Sequence, residues 1–200
     1  MSAPKRILIL FAHPALQRSR AQKRLLTAVR ELPFVTIHDL YEAYPDLFID
    51  VEKEKQMLLA HDIIIFQHPF YWYSCPAILK EWMDHVLEFG WAYGPGLRHL
   101  AGKWMLSALT TGGSESAYQE QGRNRFPIRQ FLLPFDQTAN LCGMTYLPPF
   151  LVMGAGQLED AEIESYAASY ARVLAKLADG RLGPEQWATM SSLNEGAHAD

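Results

Sequence analysis

The chain has 200 residues, of which 49% are hydrophobic and 20% charged, and a net charge of −4. That length suits one domain able to bury roughly 70% of its extended-chain surface, and the composition excludes wholesale disorder. The slight acidity offers no basic field for nucleic acid, and two cysteines, Cys75 and Cys142, without C-x-x-C spacing exclude a disulfide framework or zinc ribbon and fit a reducing compartment.

Lys5 to Phe11 reads as a first strand. Its apolar run, Ile7 to Ala12, is too short for a secretory segment or a membrane span, and no later run reaches membrane length, so the chain reads as cytoplasmic. Ser19 is placed to N-cap a helix from about Arg20 to Glu31, with Ala21, Leu25, Ala28 and Val29 on its apolar side. Val35 to Asp39 is a short second strand, and Leu40 to Asp50, aromatic and interrupted by Pro45, a loop. Glu52 to Ala60 reads as a charged helix whose Glu52 to Lys55 face is solvated.

Ile63 to Phe66 opens a third strand of the kind buried on both faces. A loop of consecutive aromatics follows, Phe70, Tyr71, Trp72 and Tyr73, and then a helix after Pro76 with Ile78, Leu79, Trp82, Met83, Val86 and Leu87 on one stripe. Gly90 to Gly102 is a surface excursion. Trp104 to Leu109 is a fourth strand ending in Thr110, Thr111, Gly112 and Gly113. Ser114 to Pro127 is irregular, and Ile128 to Cys142 is helical with a kink or delay at Pro134. Thr145 to Met153 is a fifth strand weakened by Pro148 and Pro149. Ala161 to Ala178 is the clearest amphipathic helix, and residues 181–200 read as a mobile tail on a domain of residues 1–180.

Strands alternating with helices predict an α/β fold, a flavodoxin-like three-layer sandwich with a five-stranded parallel sheet of order 2-1-3-4-5. Such a sheet gathers the loops after strands 1, 3 and 4 at one edge. In the first loop, His13 and Ser19 precede a helix N-terminus suited to an anion, with Arg18 or Arg20 adding charge; Ser19 as a plain cap and His13 as a loop tie fit equally. The second loop is a platform for a flat ligand, a satellite hydrophobic cluster, or part of a dimer interface. In the third, Gly112 and Gly113 permit close backbone approach or positive φ, and Tyr118 is the nearby side chain suited to donating a proton, or is structural. The histidines lack metal-ligand pairing, so no metal site is expected, and there is no G-x-G-x-x-G, P-loop or G-x-S-x-G motif.

From about Lys5 to Lys176 the sequence resembles the flavodoxin-like NAD(P)H:quinone oxidoreductases. The landmarks are AHP, S-R-A-Q, QHPFYWYSCPAILKEWMDHVL, GWAYGPG and TTGGSESAY. Within that family it is most similar to the ancillary quinone reductases of Kef-type potassium-efflux systems, through DLYEAYPDLFID and QHPFYWYSCPAILKEW. The resemblance implies FMN as cofactor, or FAD as in longer relatives, and two-electron transfer from NAD(P)H to a quinone. It implies that His13, Ser19, Arg20, Ala21 and Gln22 hold the phosphate end, that Phe70 to Tyr73 lie along the flavin ring, and that Thr110 to Gly113 bind its pyrimidine edge. Tyr118 matches the family's catalytic tyrosine, and Asn124 stands where longer relatives carry a histidine. Because the sites lie at a sheet edge bordered by the aromatic excursions Leu40 to Asp50 and Gly90 to Pro95, a homodimer that completes both pockets is expected. The resemblance also implies an alternative, a regulatory subunit that activates a membrane potassium-efflux transporter at the cytosolic face of the inner membrane, with redox activity secondary.

Overall fold

A computed structural model describes residues 3–96 and 98–197; Leu97 in the glycine-rich excursion and residues 198–200 of the expected tail lie outside the described residues. The strands are β1 (Ile7–Phe11), β2 (Val35–Asp39), β3 (Ile63–Pro69), β4 (Trp104–Thr110), β5 (Thr145–Tyr146) and β6 (Phe150–Val152). They form one parallel sheet of order β2-β1-β3-β4-β5, with β6 also pairing β4. The fifth position is thus split in two. Pro148 and Pro149 have no N–H to give a ladder, so the strand breaks between its pairing at Trp104–Met105 and its pairing at Ala108–Thr110.

Helices cover both faces. They are α1 (Arg20–Val29), α2 (Leu40–Ala43), α3 (Val51–Leu59), α4 (Ala77–Val86), α5 (Ile128–Phe131), α6 (Leu133–Leu141), α7 (Asp160–Asp179) and α8 (Pro184–Trp187). Alternate residues of the buried strands point to opposite sides. Ile7, Ile9, Phe11, Ile63 and Ile65 pack with α1 and α7, while Leu8, Leu10, Ile64 and Phe66 pack with α3, α4 and α6. The stretch expected to be one helix from Ile128 is two. The break falls just before Pro134, which sits at the start of α6, where a missing N–H costs nothing.

Three regions differ from the sequence reading. The start of the Leu40–Asp50 loop is helical, because the Asp39 carboxylate accepts from the Tyr41 and Glu42 N–H groups. The expected solvated face of α3 is buried at Glu54, whose carboxylate accepts from His38 Nε2 (2.7 Å), Trp82 Nε1 (2.8 Å) and the Tyr44 hydroxyl. Lys55 is buried too, between Glu52 and Glu88. Finally, the segment expected to be a mobile tail is docked as far as Ala197. Leu182 and Leu193 are fully buried against the α7 side of the sheet, and Gly180, in the left-handed conformation (φ 82°), turns the chain back at the end of α7.

Candidate functional site

The loops after β1, β3 and β4 meet over the carboxyl ends of the strands, with the turn after β6 as a fourth side. They enclose an open cleft of about 490 Å³ lined by residues that include His13, Ser19, Tyr71, Thr110 and Gly112. Ligand pockets typically span roughly 300–1,000 Å³.

One end is the N-terminus of α1. Ser19 is extended and its Oγ accepts from the Gln22 N–H at 3.2 Å, so it is an N-cap, and the Arg20 and Ala21 N–H groups open the helix without intrahelical acceptors. The imidazole of His13 stacks beside Phe11 and meets Tyr71 edge-on. Its Nδ1 accepts from the Ala15 N–H at 3.1 Å, which puts the ring proton on Nε2, and burial lowers its pKa so that it is neutral. A neutral Nε2–H donor, a helix N-terminus and Arg18 make this end suited to an anion.

Three residues expected at this end direct their side chains elsewhere. The Arg20 guanidinium is paired with Asp160 on α7 at the surface, and Ala21 is core. Gln22 is also fully buried, its side chain spanning α1 to the sheet. Its Nε2 donates to Thr110 Oγ1 (3.2 Å) and its Oε1 accepts from Gln67 Nε2 (2.8 Å), while Gln67 Oε1 accepts from the Tyr170 hydroxyl (3.0 Å). Gln22 therefore positions the helix against Thr110 and does not present its amide to the cleft.

The aromatic loop is a tight turn. Tyr71 and Ser74 form an antiparallel bridge, the Ser74 N–H donates to Tyr71 O at 2.9 Å, and the two central residues, Trp72 and Tyr73, both have positive φ (48° and 63°). That is the φ pattern of a type I′ turn, whose usual occupants are Asn and Gly. A left-handed bulky residue costs about 1–2 kcal/mol, and such strain concentrates at ligand sites. The turn throws Trp72 outward, 93% exposed, while Phe70 is buried against Tyr73, Tyr118 and Phe131. Tyr73 stacks on Phe131 at 5.3 Å. Phe70 and Tyr71 thus line the cleft, while Trp72 and Tyr73, expected along the same ligand face, turn outward beyond its lining. Immediately before the turn, buried His68 donates from Nδ1 to Pro69 O at 2.9 Å, and Nε2 has no partner among the described residues. Burial drives its pKa down to about 4.

The third side is held by the backbone. The Thr111 N–H donates to Val152 O (3.0 Å), and the Gly154 and Ala155 N–H groups donate to Gly113 O (2.8 Å) and Thr111 O (2.9 Å). Neither Gly112 nor Gly113 needs positive φ, and only Gly113 is short of space within the protein. A Cβ on Gly112 would meet no atom within 4 Å, whereas one on Gly113 would lie 3.1 Å from Tyr118 Cε2. Gly112 faces the cleft and Gly113 is packed behind it.

Tyr118 does not line this cleft. Its ring is 6% exposed and forms one wall of a neighbouring cleft of about 440 Å³ that also contains Glu115, Arg129 and Asn194. Burial holds its hydroxyl above the ordinary range, while a hydrogen bond with the Thr111 side chain pulls the other way. The Tyr118 ring lies behind Gly113, outside the cleft that Thr111 and Gly112 line. Asn124 is close by: the Tyr73 hydroxyl donates to its Oδ1 at 3.4 Å. The residues missed from sequence are Ala155 and Gly156, which line the cleft from the glycine-rich turn after β6; M-G-A-G directly after the fifth strand was the available signal.

A family described as having the flavodoxin-like fold matches residues 5–174. The chain belongs to this family. Among flavodoxin-like relatives, the glutathione-regulated potassium-efflux system ancillary protein KefG of Serratia proteamaculans is 49% identical over 85% of this chain and 93% of its own length. The solved structure of general stress protein 14 from Treponema denticola, in complex with FMN, is 35% identical, covers 86% of this chain and 99% of its own, and superposes with a TM-score of 0.82. An NADPH-quinone reductase from P. pentosaceus is also 35% identical, covering 84% of this chain and 96% of its own, with a TM-score of 0.76. Among the described residues, no helix of this flavodoxin-like chain is long and apolar enough to cross a membrane, and no cluster of His, Cys, Asp and Glu could hold a metal ion.

Proposed function

We propose that this protein is a flavin-dependent NAD(P)H:quinone oxidoreductase using FMN. The observation that carries the reading is the convergence of three chemically distinct loop ends on one cleft. They are an anion-suited helix N-terminus with neutral His13, an aromatic loop that lines the cleft through Phe70 and Tyr71 ahead of the strained turn at Trp72 and Tyr73, and a backbone edge at Thr110–Gly112 with Cβ-free space at Gly112. The likeness to a fold solved with FMN and to an NADPH-quinone reductase supports it.

A bound flavin supplies the two-electron chemistry, taking hydride from NAD(P)H and giving it to a quinone. The residues of the chain provide the rest. The α1 N-terminus, Ser19, Arg18 and the His13 Nε2–H hold a phosphate. Phe70 and Tyr71, which line the cleft, would bound a planar ring, and the backbone of Thr110–Gly112 would meet its polar edge. Tyr118, protonated at neutral pH and hydrogen-bonded to the Thr111 side chain at the cleft's edge, would be the proton donor on this side. The exposed Trp72, Tyr71 and Tyr73 at the cleft mouth are suited to closure by a second copy of the chain, in a homodimer.

A second reading, a regulatory subunit of a potassium-efflux transporter at the cytosolic side of the membrane, is favoured by the 49% identity to KefG. Reconstitution with FMN followed by an assay of NAD(P)H oxidation with a soluble quinone separates the two. Bound flavin with rapid turnover supports the reductase, and bound flavin without turnover supports the regulator. A protein that takes up no FMN overturns the flavin site itself.

A further inference from the structure

The C-terminal strap, residues 181–197, lies beyond residue 174, where the family match ends. It hydrogen-bonds to the sheet at Pro149 and Leu151, on and beside β6. The Asn194 side chain behaves as a missing strand: Oδ1 accepts from the Leu151 N–H at 2.9 Å and Nδ2 donates to Leu151 O at 2.8 Å. The Leu193 N–H donates to Pro149 O at 2.9 Å, next to the proline pair that interrupts the fifth strand. These bonds satisfy the outer edge of a three-residue strand that would otherwise be free. The strap is in turn anchored by buried Leu182 and Leu193, and by Arg129 Nη1 donating to Met190 O.

The inner edge of the same strand runs directly into the cleft. Val152 O receives the Thr111 N–H, and the next turn, through Gly154 and Ala155, holds the carbonyls of Gly113 and Thr111. The path from Asn194 to the backbone edge of the cleft is therefore one short strand and three hydrogen bonds. We infer that Asn194 is a positioning residue. By pairing with the outer edge of β6, it fixes the Thr111–Gly113 backbone in the geometry that receives the ligand. A short strand interrupted by two prolines has too few ladder bonds of its own to hold that geometry. The link to FMN affinity rests on the flavin reading above; the mechanical link does not.

The test is amide hydrogen exchange on the cofactor-free full chain, read at Thr111, Gly154 and Ala155, with FMN titration of the same proteins. Asn194→Ala should lower protection at these three amides roughly tenfold and raise the Kd for FMN about three- to tenfold, as expected for losing two partly buried hydrogen bonds. Ser191→Ala is the control. It breaks the Ser191–Glu195 bond within the strap without touching β6, and should leave the three amides unchanged. If Asn194→Ala does not fold, Asn194→Ser is read in the same way. Unchanged protection at the three amides, or an equal loss across α1, α4 and the whole sheet, overturns the inference. Failure of the wild-type chain to bind FMN overturns the flavin reading instead, and leaves the exchange result to decide the role of Asn194.

Discussion

Gln22, on the first helix, and Gln67, on the central strand β3, share a hydrogen bond of 2.8 Å in a fully buried setting, and the chain continues from Gln22 to Thr110 and from Gln67 to Tyr170. It pins the N-terminus of α1 to the end of β4, so the anion end and the backbone edge of the cleft keep a fixed separation. Each buried amide here depends on the other. Replacing Gln22 by Leu leaves Gln67 Nε2 without its acceptor, which costs about 1–3 kcal/mol. The expected outcome in urea unfolding is a lower midpoint at unchanged m-value, together with weaker FMN binding.

Trp72 makes a different prediction, because its backbone is strained and its ring is almost wholly exposed. Trp72→Gly removes the left-handed penalty and loses little packing. Stability should rise by about 1 kcal/mol while FMN affinity falls roughly three- to tenfold, the worth of an aromatic contact. Thermal unfolding and flavin titration on the same samples check the opposed signs. A variant that loses stability would show that the turn is not strained.

The buried His68 fixes a pH dependence. Its pKa is lowered from 6.5 to about 4 by burial, so the unfolded chain binds a proton that the folded chain refuses. Stability is therefore whole above about pH 6.5 and declines as the pH falls toward 4, a loss of about 3 kcal/mol. Urea midpoints across that range should show it, and His68→Phe should remove this component while keeping the ring packed on Phe135.

Tyr118 and Gly113 are packed in contact, which separates chemistry from binding. Tyr118→Phe keeps the ring and should slow turnover about 10²-fold or more without releasing FMN. Gly113→Ala pushes on the ring at 3.1 Å and on Ala117, and should weaken FMN binding and turnover together. Steady-state kinetics beside flavin titration distinguishes the two patterns.

The sheet was legible because its buried strands are continuous β-branched runs, and their alternation with helices dictates the strand order. The cleft followed from that order: His13, Ser19, Tyr71, Thr110 and Gly112 lie together as the topology requires. Side-chain direction was not legible. Gln22 reads as a polar residue at a helix start, and nothing local shows that Thr110 and Gln67 lie within reach of it. Glu54 reads as solvated because its neighbours in sequence are charged, yet its partners His38, Tyr44 and Trp82 come from three other segments. The strap failed for the same reason, since a small, polar segment hides Leu193 and Asn194, which find their partners at a strand edge broken by distant prolines.

The central claim is that a flavin fills the cleft against Gly112, and a titration of FMN into Gly112→Ala, followed by flavin fluorescence, tests it most directly. A Cβ at this position meets no protein atom within 4 Å, so the fold should be unaffected, within about 0.5 kcal/mol by thermal unfolding. The account predicts saturable FMN binding by the wild-type chain and a Kd raised at least about tenfold in the variant. Equal affinity in the two proteins, or no binding by the wild type, would contradict it.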